Sequence, residues 1–595
     1  MKIGSKRIPV NSNGFLILAF FVSVSFLFFH QIYISRADPN AIYMDSLRML
    51  HQWYDWRAGN IKFHEYWNQG SHRGFVFQAI LGLNVEFFSL DPLLANRLTG
   101  FLIAVSSLLV SFGALNTLSA ERKWADLRAY IFFSIILSGA IFFSLAGFEV
   151  LTLDLGLGLW LKNALVIIFF ILASLSQQKP PKSLDLLVLC FLGPVIVLIF
   201  GMGWSYAFVS AFLSVQFVVW TCGFLESGKI ELKRNVLVGI ALLLSVIVYV
   251  LLGQSSAPSS STRNTVPAAE DLIELLFTAL GSSLIGAESL SFYGMPLIVL
   301  TILGMVSSGV LSVIIAVSLA RRRIVKLVFP LYLIAYAIFV AISVCVARGG
   351  AGGGSVVASR YFMDFLLLPV GLIWILVDAI INSVSRKESV AWRFLFIIYG
   401  SLVAAGLLLT NFREWRAAPY RAQAFQEMNS VLFEGDIDEK KAKLLQAPLK
   451  DAQKGRESLF VNRLSIFSQG IEECRISASD YNEGWYAAEA DGRWMSQSAS
   501  IRLSKCNCPL VVSIFLPGNF DEREVEITGV PLTESTLELI PGASYSINLP
   551  ATVRPSRVSF SISRVTVPAE LPGGSIDSRR LGVFLSKVAY SCDAR

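Results

Sequence analysis

Apolar stretches recur along the chain near 14–34, 97–118, 129–147, 158–175, 184–201, 204–223, 236–252, 296–319, 327–346, 362–382 and 394–410. A bilayer-crossing helix needs about 20 apolar residues, so this pattern predicts a polytopic α-helical membrane protein with about eleven transmembrane helices. One further apolar stretch, "RGFVFQAILGLNVEFFSL" (73–90), contains Gln78, Asn84 and Glu86. At about 17 residues it is marginal for a crossing and predicts a juxtamembrane helix instead. Ahead of it, "NAIYMDSLRMLHQWYDWRAGN" (40–60) places Ile42, Tyr43, Leu47, Leu50 and Tyr54 on one helical side. Asp45, Arg48, Gln52 and Asp55 fall on the other, three or four residues apart. That is the pattern of a helix lying on a membrane surface, its carboxylates turned away from lipid.

Beyond Asn411 the pattern changes. Residues 412–469 predict an amphipathic helical connector. From about Cys474, "PLVVSIFLPG", "EVEITGV", "SYSINLP", "SRVSFSISRVTV" and "RRLGVFLSKVAY" alternate apolar and polar residues between Gly, Pro and Asn punctuation. Residues 470–595 therefore predict a β-sandwich, with 1–411 as the transmembrane domain.

Charge adds an orientation. Basic residues gather at Lys2/Lys6/Arg7, Arg122/Lys123/Arg128, Lys179/Lys182, Lys229/Lys233/Arg234, Arg321/Arg322/Arg323/Lys326 and Arg386/Lys387/Arg393. These are alternate connections, which predicts a cytoplasmic N-terminus and an external C-terminal domain. The assignment requires that 73–90 does not cross, giving a first external loop of 35–96. If it did cross, "SAERKWADLR" (119–128) would be external and the alternation would fail. The first apolar run is about 21 residues, longer than a signal-peptide core, and predicts a retained helix.

Composition narrows the class. Of 595 residues, 54% are hydrophobic and 16% charged, which excludes an ordinary soluble globule. No basic block interleaves with aromatics, so nucleic acid is not a predicted partner. Cys190, Cys222 and Cys345 lie in apolar runs, whereas Cys474, Cys506, Cys508 and Cys592 lie in the C-terminal part. An exported module with these four supports up to two disulfides whose pairing sequence does not reveal. All four histidines fall between positions 30 and 72, too widely spaced for a metal site.

The predicted outer side collects Asp45, His72, Arg73, Arg97, Glu149, Asp154, Lys162, Arg348, Arg360 and Asp364. Lys162 lies inside an apolar segment, where a charge costs about 2.5–3.5 kcal/mol and so calls for a partner or a wet cavity. Asp154, eight residues earlier, is expected in the same cavity. "ARGGAGGGS" (347–355) reads as a spacer or as an anion-binding nest of backbone N–H groups. Its neighbours Arg348 and "SRY" (359–361) favour phosphate. A cavity with one carboxylate and several arginines suits sugar transfer from a polyprenyl phosphate. The leaving group is already an anion and needs cations, and the acceptor hydroxyl needs one base.

The order of these features resembles the GT-C glycosyltransferases, the superfamily of the lipid A aminoarabinose transferase and the protein O-mannosyltransferases. The resemblance covers residues 14–175: a first helix, an external loop opening on an acid, then "SHRGFVFQAILGL…SLDPLLANRLTGFLIAV" (71–105). It implies that Asp45 is the catalytic carboxylate, that Asp154 or Glu149 is the acid of the second external loop, and that Arg97 is the "RL" arginine. "SRYFMDFLLLPVG", with Arg360 and Tyr361, resembles a late segment of bacterial polyprenyl-phosphate-sugar transferases. "EGWYAAEADGRWMSQSASIRL" and "IDSRRLGVFLSKV" resemble an accessory envelope β-sandwich, in which Trp485 and Trp494 stack on a glycan or serve as core aromatics.

The resemblance implies a multi-pass enzyme of the bacterial cytoplasmic membrane with its C-terminal domain in the periplasm. Its donor would be a polyprenyl-phosphate-linked monosaccharide. Its acceptor would be an envelope glycan, lipid or protein, with membrane lipid around it. Ser46 follows Asp45 where many members carry a second acid, which weakens the case for a bound divalent metal; no cofactor is implied. Prolines usual near His72-Arg73-Gly74 are missing too, so Asp38 and Asp55 remain rivals to Asp45. An O-antigen polymerase or ligase is the second enzyme class, disfavoured by histidines that are all early. A polysaccharide transporter or flippase is the non-enzymatic alternative, disfavoured by the lack of a repeated half.

Overall fold

The computed structural model of the chain describes residues 12–69, 72–73, 76–118, 127–178, 183–227, 233–253, 268–320, 328–383, 386–468, 476, 480–489, 492–503, 506, 508–530, 535–550, 556–571 and 577–590. The contacts divide into two compact units, Met1–Met428 with Asp438–Gly455 and Asn429–Ile437 with Arg456–Arg595.

The first unit is helical. It opens with α1 (Ser12–Ala37), α2 (Asp45–Arg57) and α3 (Phe63–Trp67), then a short antiparallel pair, β1 (Asn68–Gln69) with β2 (His72–Arg73), and α4 (Val76–Phe88). There follow α5 (Pro92–Thr117), α6 (Arg128–Phe142), α7 (Phe148–Thr152), α8 (Gly156–Gln178), α9 (Ser183–Phe200), α10 (Met202–Ser227) and α11 (Lys233–Gly253). After these come α12 (Ala269–Gly281), α13 (Ala287–Phe292), α14 (Ile298–Ala320), α15 (Val328–Arg348), α16 (Gly353–Val356), α17 (Phe362–Phe365) and α18 (Leu367–Ile381). The chain then enters α19 (Arg386–Glu434), α20 (Glu439–Leu444) and α21 (Leu449–Val461).

Among the described residues eight helical stretches are long and apolar enough to cross a membrane, or nine if the bent pair Gly353–Phe365 and Leu367–Ile381 is one span. Apolar parts of α9 and α11 are shorter. With 13 residues, α4 measures about 20 Å against the roughly 30 Å of a hydrocarbon core. Its Phe77, Leu81 and Val85 are buried while Leu83, Phe87 and Phe88 are exposed, which gives the helix one packed and one open apolar side. By contrast α18 is buried almost all round, from Leu367 to Asp378, as expected of a helix at the centre of a bundle.

Two expectations about element limits change. The apolar run 362–382 is not one helix, because the chain bends by 44° between α17 and α18. Pro369, in the first turn of α18, has no N–H to offer the carbonyl of Phe365, so the helix stops and restarts there. The expected boundary after Asn411 falls inside α19, a helix of 49 residues. What shifts at 411 is the polarity of the sequence, while the helix continues past it and includes Pro419.

The second unit contains two antiparallel four-stranded sheets, with strands β3 (Arg493–Trp494), β4 (Ser498–Leu503), β5 (Leu510–Phe515), β6 (Arg523–Thr528), β7 (Thr536–Leu539), β8 (Ser544–Leu549), β9 (Ser556–Ile562) and β10 (Phe584–Tyr590). One sheet runs β3-β10-β5-β8 and the other β4-β9-β6-β7. Alternate residues of both, including Ile501, Val512, Ile514, Val525, Phe560 and Leu585, form one buried cluster, so the sheets pack face to face as a sandwich. Each of the five alternating sequence stretches contains a strand, to within one residue at its ends. Cys506 and Cys508 each belong to a disulfide; Cys474 and Cys592 lie outside the described residues.

Candidate functional site

Three connections meet at one end of the helical unit. The first is the turn between α1 and α2, and the second surrounds α7. Asn96, fully buried near the start of α5, ties them together, its Nδ2 donating to the carbonyl oxygens of Pro39 (3.2 Å) and Thr152 (3.3 Å). Asn96 is aimed by a capped helix start: Asp91 accepts the Leu94 N–H at 3.1 Å and Pro92 occupies the first turn.

The same two connections carry the acids. Ser46 follows Asp45 at the start of α2, and its hydroxyl donates to Asp154 Oδ1 at 2.5 Å across 108 residues of chain. Asp154 is 6% exposed, and burial pushes its carboxyl up from 3.8 to about 6, against the opposing pull of the Ser46 and backbone hydrogen bonds. Asp45 itself stays half-exposed, paired with Arg48 at 2.9 Å one turn along. Tyr43 is buried beside them, its phenol held neutral first by burial and then by the carboxylates of Glu149 and Asp154. Asp55, about 15 Å further along α2, instead faces His51 at 3.6 Å. Of the two acids on α2, Asp45 is therefore the one next to Asp154.

The third connection, between α15 and α18, brings cations. Glu149 on α7 accepts from Arg360 Nη1 and from the Ser359 hydroxyl, each at 2.9 Å. The Arg360 guanidinium also lies 5.5 Å from the Tyr361 ring centroid. Next to this pair lies a small cleft lined by Phe148, Glu288, Ser289, Ser359, Arg413 and Glu414 among others. Asp45, Asp154, Glu149, Arg360 and Tyr361 thus belong to one interlocked end of the bundle.

Lys162, buried in an apolar segment, has a charged partner. Its partner is Asp364, at 2.7 Å, and not Asp154, whose carboxylate is taken by Ser46. Both members of the pair are buried, and Tyr336 donates to the same Asp364 oxygen at 3.2 Å. The Lys162 ammonium also sits 4.0 Å from the Trp204 ring centroid. Neighbouring Asn163 donates to the Met363 carbonyl at 2.9 Å. Together these contacts anchor the chain just before the bend into α18, and so the segment that carries Arg360.

The remaining candidates fall as follows. Arg97 is exposed on α5, where its carbonyl accepts from Gln31 at 3.1 Å. Arg348 is exposed at the end of α15, and the glycines after it form turns in which Gly352 N–H is bonded to Gly349 and Ser355 N–H to Gly352. Those two N–H groups are already satisfied, which counts against an open anion nest. The side chains of His72 and Arg73 lie outside the described residues, although their backbone forms β2. Trp485 donates to the Ser500 carbonyl at 2.9 Å and packs edge-on against Phe560, while Trp494 stacks on Phe520 and meets Phe584. Both rings are engaged with the sandwich core and not presented as a flat sugar platform. Arg579 pairs with Asp577 and Glu489, a surface ion cluster.

Several side chains at this end are not selected by sequence reasoning: Ser46, Asn96, Glu288, Arg413, Glu414 and Arg421. "NFREWRAAPYR" (411–421) reads as the polar start of a connector, so its charges look solvated. The available signal was Glu414, a lone acid placed i+7 before Arg421 on a continuing helical period. No protein-family model, curated protein or solved structure matches the chain.

Proposed function

We propose that the chain is a membrane glycosyltransferase of GT-C type with about eleven crossings, counting α9, α11 and the bent pair, and with α4 on the surface. It moves a monosaccharide from a polyprenyl-phosphate donor to an envelope glycan, lipid or protein on the outer face of a bacterial cytoplasmic membrane. The N-terminus is then cytoplasmic and the sandwich periplasmic. The observation that carries this reading is the Ser46–Asp154 hydrogen bond. It supports the reading because it joins the two acid-bearing connections at the end where Glu149 holds Arg360.

In the proposed mechanism Asp45 accepts the proton of the acceptor hydroxyl. Its half-exposed carboxylate is open to an acceptor, and Arg48 holds it in place. The hydroxyl oxygen attacks the anomeric carbon, the bond from that carbon to the phosphate oxygen breaks, and the lipid phosphate departs with the electron pair. Arg360, with Arg348 at the edge, neutralises the departing phosphate. A single displacement of this kind inverts the anomeric configuration. Asp154 and Glu149 position rather than react. Each already holds a partner of its own, the first Ser46 and the second Arg360 with Ser359.

The test offers membranes containing the chain a panel of polyprenyl-phosphate monosaccharides and measures release of free polyprenyl phosphate. The expected result is consumption of a restricted set of donors, slowed about 10²–10⁴-fold by Asp45→Asn. Equal turnover by wild type and Asp45→Asn would remove Asp45 as the base.

A further inference from the structure

Arg413 and Arg421 lie about two turns apart on α19, and both direct a guanidinium nitrogen at one oxygen, Oε2 of Glu288, at 2.9 and 3.1 Å. Behind them sits Glu414. It accepts from Arg413 at 2.5 Å, from Arg421 through both of its oxygens, and from the Tyr33 hydroxyl at 3.1 Å. The two carboxylates differ in one respect that matters. The Glu414 side chain is 1% exposed and surrounded by donors, whereas that of Glu288 is 49% exposed on the six-residue α13.

Glu414 therefore fixes the two guanidiniums, and Glu288 merely fills the position they point at. With both glutamates in place the four charges cancel. With Glu288 withdrawn, one positive charge and two converging N–H donors are left at the wall of the cleft. A guanidinium fork matches the oxygen spacing of a phosphate or a carboxylate. Arg421 is further held by Phe148, whose ring centroid lies 3.3 Å from the guanidinium carbon, and the next residue, Glu149, holds Arg360. We propose that Arg413 and Arg421 form a seat for a phosphate monoester or diester, and that Glu288 is its built-in competitor, occupying the seat when no ligand is bound.

The Glu288 carboxylate is half-exposed, so water and a phosphate can both compete for its place on the two arginines. A ligand meets a vacant seat only in the fraction of molecules whose Glu288 has swung out, so its apparent affinity is lowered by that fraction. The phosphate can belong to a lipid headgroup or be free in solution. The lipid form rests on the transferase reading above; the seat itself does not.

The experiment uses the full chain in lipid nanodiscs and titrates two probes, a polyprenyl monophosphate added to the bilayer and inorganic phosphate in the buffer. Wild type is compared with Glu288→Gln, Glu288→Asp and the charge-preserving Arg421→Lys, each checked for an unchanged melting temperature. Removing the competitor, by Glu288→Gln or by the shorter Glu288→Asp, should tighten binding about tenfold. Arg421→Lys should weaken it by about the same factor, through loss of the fork. A response with the lipid probe alone assigns a headgroup site, and one with inorganic phosphate assigns a site for free phosphate; either supports the seat. Glu288 variants that bind both probes as wild type does would overturn it. Donor turnover by Asp45→Asn is read separately. If it stays at the wild-type level while the Glu288 variants shift binding, the Asp45 assignment falls and the seat stands; the reverse pattern removes the seat alone.

Discussion

Asp154 sets the terms at the scale of single residues. A carboxyl raised from 3.8 to about 6 by burial binds a proton more readily in the folded chain than in the unfolded one. Its contribution to stability is fully present below 3.8 and is lost as pH rises through about 6. Thermal unfolding in detergent should therefore show wild type losing up to about 3 kcal/mol relative to Asp154→Asn between about pH 4 and pH 7. A parallel pair of pH profiles would contradict this. Ser46→Ala removes the hydroxyl that supports the ionised form, at a cost of about 1.5–3 kcal/mol at neutral pH. The Lys162–Asp364 pair gives a second test. Because both groups are buried, Lys162→Met alone should cost about 3–5 kcal/mol by stranding Asp364. Lys162→Met with Asp364→Leu should recover most of that loss. Additive single effects in this double-mutant cycle would mean that the two residues do not act as a pair.

Elements were legible in the sequence to the extent that one local pattern decides them. Long apolar runs gave helices at nearly the expected places, since hydropathy over about 20 residues is a local property. The alternation in "PLVVSIFLPG" and "SRVSFSISRVTV" likewise located β5 and β9, because a strand with one buried face must alternate. The stop at Leu366 was not visible as hydropathy, because a missing Pro369 N–H is a matter of backbone bonding; helix was expected on both sides of Asn411, but not that the two would be one element. The site was less legible still. Asp45 and Glu149 were identifiable as acids, but Ser46 meets Asp154 across 108 residues and Lys162 meets Asp364 across 202, pairings that no local pattern encodes. One element prediction remains directly measurable. If α4 lies on the surface, Ser119→Cys, in a segment outside the described residues, should react with an impermeant maleimide only from the cytoplasmic side. Labelling of intact cells from outside would make α4 a crossing and reverse the orientation of everything after it.

At the scale of the whole molecule there are two units, one helical, with acidic and cationic connections that converge at one end, and one a β-sandwich whose Trp485 and Trp494 pack against its own core. The sandwich is accordingly assigned no catalytic part, and its Trp485 and Trp494 are expected to matter for folding more than for sugar binding. Trp485→Ala should lower the melting temperature of the chain by removing the bond to Ser500 and the contact with Phe560. Donor turnover per folded molecule should be unaffected. The central claim is tested most directly by mass spectrometry of envelope glycans, glycolipids and glycoproteins from three strains: wild type, a deletion, and Asp45→Asn at matched membrane abundance. The account predicts that the deletion and Asp45→Asn lack the same single sugar, whose mass then identifies its class. A full complement of wild-type glycans in the deletion strain would contradict it.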